Sequence, residues 1–164
     1  MPAVSNSSPL IALAAIERLE LLPALFQSVV IPPAVAHEIR RSVPLPAAWL
    51  QVRTLEGPLP EIVLRRSLAD GEREAIALAL ETRPDGIILD DLPARRVAHA
   101  AGLNVIGTLG VLLGAKRAGL LPAIRRELDG LVRTSSFSVP RSTPNCCRPP
   151  ARRTRRPSLR QLPA

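Results

Sequence analysis

Aromatic residues are nearly missing from this 164-residue chain: Trp49, Phe26 and Phe137, no tyrosine, 2% of the whole. Modules that stack bases on Phe, Tyr or Trp, such as RRM or OB-fold platforms, are thereby excluded. Cysteine is confined to the adjacent pair Cys146 and Cys147, which has neither zinc-ligand spacing nor a disulfide framework. His37 and His99 are the only histidines, so a histidine-rich metal site is excluded as well. No run of roughly 18 uncharged apolar residues occurs, and no membrane span is expected. The first apolar stretch has no basic region before it, which argues against a secretory signal. These absences predict a cytoplasmic protein.

Acidic charge is scarce in one region only. The chain carries 22 Lys+Arg against 14 Asp+Glu, a formal charge of +8. Residues 140–164 hold seven arginines and no acid, whereas residues 1–139 are nearly neutral at +1. The tail also holds six of the 18 prolines and both cysteines. Such a segment cannot bury enough apolar surface to offset its ordering entropy, so disorder is expected there. A basic arm for RNA phosphates is one reading of it. An extension without a role, even a translated shifted frame, is the other, and its Arg, Pro, Ser, Ala and Cys content favours that one. The domain is therefore placed at 1–139 and the tail at 140–164.

Within 1–139, short apolar runs alternate with helical patterns. Ala3–Ser5 leads into Asn6-Ser7-Ser8-Pro9, where Ser8 is the expected N-cap and Pro9 the first helical residue. A helix then runs to about Leu19, followed by a short one over Leu21–Gln27. Val29–Ile31 reads as a strand and Ala34–Arg41 as a helix, with a weaker strand over Leu50–Leu55. Helices follow at Ile62–Leu68 and Gly71–Thr82, the second capped by Asp70. Strand Gly86–Asp90, helix Ala94–Ala101, strand Asn104–Ile106 and helices Leu109–Ala118 and Pro122–Val132 come next, then a strand over Phe137–Val139. This alternation predicts an α/β domain, a mostly parallel sheet with helices on both faces.

Ligands of such sheets bind beyond the carboxyl ends of the strands, where strand order reverses. Asn6, Ser7 and Ser8 follow the first strand, Asp90 and Asp91 follow Ile87–Leu89, and Gly107 and Thr108 follow Asn104–Ile106. Singly, such residues are ordinary helix caps. Glu72 and Glu74 singly complement a helix N-terminus, and Glu38 pairs with Arg40 or Arg41. Together, Asn6, Glu38, Glu74 and Asp91 suggest an oxygen-ligand cluster of the kind that Mg²⁺ prefers. A cation there would supply Lewis-acid phosphoryl chemistry and an activated water.

Five ordered blocks carry a resemblance. They are Val4-Ser5-Asn6-Ser7-Ser8-Pro9-Leu10-Ile11, Ile31-Pro32-Pro33-Ala34-Val35 with Glu38-Ile39, and Asp70-Gly71-Glu72-Arg73-Glu74-Ala75-Ile76. Ile87-Ile88-Leu89-Asp90-Asp91 with Ala94-Arg95, and Ile106-Gly107-Thr108-Leu109-Gly110, complete the set. In this order over residues 3–139 the chain resembles a prokaryotic PIN-like subfamily related to VapC-type toxins. The resemblance implies a metal-dependent endoribonuclease of the toxin–antitoxin type, using Mg²⁺ or Mn²⁺, with RNA as substrate. It further implies a cognate antitoxin and a homodimer as partners. Carried over residue by residue, Glu38, Glu74 and Asp91 are the catalytic metal-holding acids, with Asn6 where the first acid is usual. Glu72, two residues earlier, is the other choice for the helix-borne acid, and Ser8, Asp90 and Thr108 are supporting residues.

Asn6 departs from the family pattern, because its neutral carbonyl oxygen removes one negative charge from the pocket. That departure motivates the alternative of a catalytically impaired PIN-like module that binds RNA or protein. Arg40, Arg41, Arg65, Arg66, Arg95 and Arg96 would be its contacts.

Overall fold

Short β-branched and aliphatic runs build the centre of this domain. The structure is a computed structural model that describes residues 2–43, 47–64 and 67–134. Strands β1 (Pro2–Ser5), β2 (Ser28–Ile31), β3 (Leu50–Val52), β4 (Gly86–Ile88) and β5 (Val105–Ile106) form one sheet in the order β3-β2-β1-β4-β5. Every pairing is parallel, with Val4 opposite Val30 on one side and Ile87 on the other. β1 is central, and the order reverses between β1 and β4. That crevice is where an open parallel sheet offers a site.

Two apolar layers cover the sheet. One face packs Ala3, Val29, Ile31 and Ile88 against α1 (Ser7–Ala15), α2 (Leu21–Leu25), α3 (Pro33–Ile39), α6 (Thr108–Arg117) and α7 (Arg125–Arg133). The other packs Val4, Ile87 and Leu89 against α4 (Asp70–Thr82), α5 (Leu92–Ala100) and a 3₁₀ turn at Glu61–Val63. β4 is buried at every position, as a strand covered on both faces should be, while Val30 in β2 is only half-buried. Aliphatic burial of this kind stabilises by roughly 25 cal/mol per Å² removed from water.

The expected elements are present with shifted ends. The first helix starts one residue after Asn6 and ends at Ala15, so Asn6, not Ser8, is its N-cap, and Pro9 lies inside the first turn. The Asn6 amide still donates to the Ile88 carbonyl at 3.2 Å, and this ladder bond makes Asn6 the junction of strand and helix. Proline at that depth is tolerated because first-turn N–H groups lack intrahelical partners. Asp70 is likewise not a cap. Ala69 is the N-cap of α4, Glu72 accepts from the Ala69 amide at 3.0 Å, and Asp70 pairs with Arg73 at 2.8 Å. Among the described residues of the helix expected over 62–68, Ile62 and Val63 lie in the short 3₁₀ turn Glu61–Val63, while Leu64, Ser67 and Leu68 are not helical. Gly102 and Gly119 close α5 and α6 at φ +77° and +74°, where a side chain would be strained. The strand expected over Phe137–Val139, the tail 140–164, and Arg65 and Arg66 lie outside the described residues. Among the described residues, no helix is long and apolar enough to cross a membrane.

Candidate active site

Asn6 sits at the carboxyl end of the central strand, 1% exposed. Among the described residues, neither its Oδ1 nor its Nδ2 has a hydrogen-bond partner. A buried amide left so costs on the order of 1–3 kcal/mol per unmade bond. Its backbone is held on both sides: the amide by Ile88, the carbonyl by the Ser5 hydroxyl at 2.9 Å. The chain thus fixes a side chain whose polar ends it does not satisfy.

Across the switch point, the two acids after β4 have separate jobs. Asp91 caps α5, its Oδ1 accepting from the Ala94 amide at 3.0 Å, which leaves Oδ2 unbonded. Asp90 turns the other way. Its Oδ1 accepts from the Thr108 amide at 2.8 Å and its Oδ2 from the Thr108 hydroxyl. That pair bridges the ends of β4 and β5, so Asp90 and Thr108 brace the crevice. Ser8 is exposed in the first turn of α1, where no side-chain hydrogen bond engages it.

The remaining acids come from α3 and α4. Glu38 lies on α3 with its carboxylate against Gly71, where a Cβ would stand 2.7 Å from Oε1. The Gly71 backbone thus lies close against the Glu38 carboxylate, a contact that neither periodicity nor capping chemistry foretold. The D-G-E run, with glycine directly before an acid, was the available signal. Burial raises the Glu72 carboxyl above its ordinary value, offset by the hydrogen bond from Ala69, and the charges of Asp91 and Glu38 raise it further. Glu72 is thus the helix-borne acid that feels both Asp91 and Glu38. Glu74, two residues on, accepts through Oε2 from the Ala34 amide at 3.1 Å, in the first turn of α3 just after β2, and its Oε1 has no hydrogen-bond partner among the described residues. That bond ties α4 to α3 and positions the helix that carries Glu38.

Among the described residues, no group of three or more His, Cys, Asp or Glu is gathered tightly enough to ligate one ion. This does not conflict with the mutual influence of Glu72, Asp91 and Glu38, because charge–charge effects reach beyond ligation distance. A cleft of about 240 Å³ lies elsewhere, lined by Arg18, Arg126, Glu127 and Arg133. It is at the far end of α1 from Asn6, roughly 13 Å along the helix axis.

An open parallel α/β sheet with acids and an unsatisfied amide at its switch point defines the class. Within that class the chain belongs to the PIN domain family: the family model DUF3368, described as a PIN domain, matches residues 2–145. A solved structure, a PilT N-terminus domain protein from the hyperthermophilic archaeon Sulfolobus solfataricus, is similar in fold. It superposes with a TM-score of 0.57 at 22% identity, covering 70% of this chain and 93% of that one. No curated protein matches the sequence. PIN domains are generally nucleases and typically use a divalent metal.

The residues present fit such a metal in their chemistry. Every donor is a hard oxygen, the Asn6 carbonyl oxygen is buried without a donor, and Asp91 Oδ2 is unbonded. Mg²⁺ usually binds through one or two carboxylates and keeps several waters, so three direct carboxylates are not required.

Proposed function

We propose that this chain is a metal-dependent endoribonuclease of the toxin–antitoxin type, acting at the β1/β4 crevice. The observation that carries the reading is Asn6, a buried amide with both polar ends unsatisfied beside the strand that bears Asp91. Glu38, Asp91 and the helix-borne acid, Glu74 or Glu72, would hold Mg²⁺ or Mn²⁺, with Asn6 Oδ1 assisting. Glu74 Oε2 accepts from the Ala34 amide and leaves Oε1 for an ion, as Asp91 does with Oδ2. A bound ion would polarise the scissile phosphate and acidify a water.

The protein's own groups have definable tasks. Asp91 Oδ1 is committed to Ala94, so its free Oδ2 faces its ligand in one orientation. The Glu72 carboxyl is raised by burial and by the charges of Asp91 and Glu38, so a cation beside it would relieve that repulsion. Asn6 Nδ2 can donate to a non-bridging phosphate oxygen while Oδ1 accepts. Asp90 and Thr108 keep the β4 and β5 ends from splaying when a polyanion enters. A cognate antitoxin, a homodimer and a cytoplasmic location belong to the same proposal.

Incubating the purified chain with single-stranded and structured RNA tests it, in Mg²⁺, Mn²⁺ and EDTA, with Asp91→Asn as the contamination control. Metal-dependent cleavage that disappears in the variant is expected. Intact RNA from a folded protein favours the second reading, an RNA- or protein-binding module, which the neutral Asn6 specifically motivates.

A further inference from the structure

The substrate grip is a separate question from the chemistry, and it rests on the nuclease reading above. Among the described residues stacking has little to offer: Phe26 is buried at 6% exposure and Trp49 is partly buried against the core, while Phe137 lies outside them. Phosphate contacts are then the grip the described residues favour, and the acid-bearing crevice repels phosphates. Some cation must stand beside it.

Arg95 meets that need. It lies on α5, half-buried, one turn after the Asp91 cap. Its Nη1 lies 2.6 Å from where a Gly107 Cβ would be, and Asp90 Oδ1 lies 3.3 Å from the same point. The guanidinium is thus laid over the backbone that follows β5, at the carboxyl edge of the sheet. Asp90 accepts from Thr108 with both oxygens and makes no ion pair with Arg95 among the described residues, so the guanidinium N–H donors stay available to a phosphate. Among the described residues, the Arg95 side chain has no hydrogen-bond or ion-pair partner. A side chain at Gly107 would make the guanidinium shift from this place. Neighbouring strands are about 4.8 Å apart, so Arg95 stands roughly two strand spacings from Asn6.

We propose that Arg95 binds a phosphate of the RNA strand flanking the one at the acidic crevice, and that Gly107 makes room for it. The acids and Arg95 then divide the sheet edge into a reacting end and a holding end. Arginine suits the role because its planar fork matches a phosphate.

Equilibrium binding of a labelled single-stranded RNA of about a dozen nucleotides tests this, by anisotropy in EDTA over about 50 to 200 mM salt. For Arg95→Gln, the Kd is expected to rise roughly three- to tenfold, and the slope of log affinity against log salt to shrink by about 0.7. Arg95→Lys should restore most of the slope. Gly107→Ala, which keeps the charge but evicts it, should raise Kd similarly and add little on top of Arg95→Gln. Arg117→Gln, exposed at the far end of α6 from this edge, should leave Kd unchanged. Normal melting of each variant excludes unfolding as the cause. Binding by wild type with an unchanged slope in Arg95→Gln overturns the assignment of Arg95 alone. No binding by the folded wild-type chain, either in EDTA or with Ca²⁺ in place of Mg²⁺, overturns the nuclease reading and this proposal with it.

Discussion

Thr108 holds Asp90 by both carboxylate oxygens, its amide reaching Oδ1 at 2.8 Å and its hydroxyl reaching Oδ2. Thr108 is fully buried, so the pair ties the first turn of α6 to the end of β4. Hydrogen bonds to a charged group contribute about 1.5–3 kcal/mol each. Thr108→Val, which keeps the shape and loses one of the bonds, should destabilise by about 2 kcal/mol in urea unfolding, while Thr108→Ser should stay near wild type. Equal stability of the Val and Ser variants would refute the brace.

Glu72 makes stability depend on pH in an identifiable direction. Burial raises its carboxyl above 4.5, and Asp91 and Glu38 add to the effect. In the window just above 4.5 the folded chain binds this proton more tightly than the unfolded one, so stability falls as pH rises through it. Glu72→Gln keeps an acceptor for Ala69 and removes the charge. Its Tm should exceed wild type at pH 7 and converge with it at acid pH. A Tm difference independent of pH would count against the assignment.

Asn6→Asp places another carboxylate among those of Glu38, Glu72 and Asp91. Without a cation this like charge should lower Tm. Millimolar Mg²⁺ should then raise the variant's Tm by more than wild type's, since a ligand at about 100 times its Kd contributes about 2.7 kcal/mol. RNA cleavage should rise in parallel. An identical Mg²⁺ response in both proteins would mean that position 6 does not face the ion.

The far end of α1 offers a purely structural test. Arg18 donates through Nε and Nη2 to one oxygen of Glu127, which is 5% exposed, while the other oxygen is unpartnered. Arg18→Met strands that carboxylate and should cost about 3–5 kcal/mol. Adding Glu127→Leu should recover much of the loss. RNA cleavage by the double variant should match wild type, because this ion pair is remote from the crevice.

The alternation of strand and helix was legible in the residues themselves. β-branched and aliphatic runs can be buried on both faces only in a parallel sheet, and residues following such strands necessarily crowd its carboxyl edge. Asn6, Asp90, Asp91 and Thr108 were therefore assignable to that edge from their positions alone. The choice between Glu72 and Glu74 was not. Successive helix residues are turned by about 100°, so two positions differ by roughly 200°, and either face suits an acid near a helix N-terminus. The packing of α3 on α4 shows how each is placed: Gly71 stands against Glu38, burial and the charges of Asp91 and Glu38 raise Glu72, and Glu74 accepts from Ala34. The same holds for Asn6, whose type was visible but whose unsatisfied burial was not, and for Arg95, one of several arginines until Gly107 is seen beneath it. Local pattern dictates elements because propensity and periodicity are short-range, whereas the partner of a side chain is settled by residues distant in the chain.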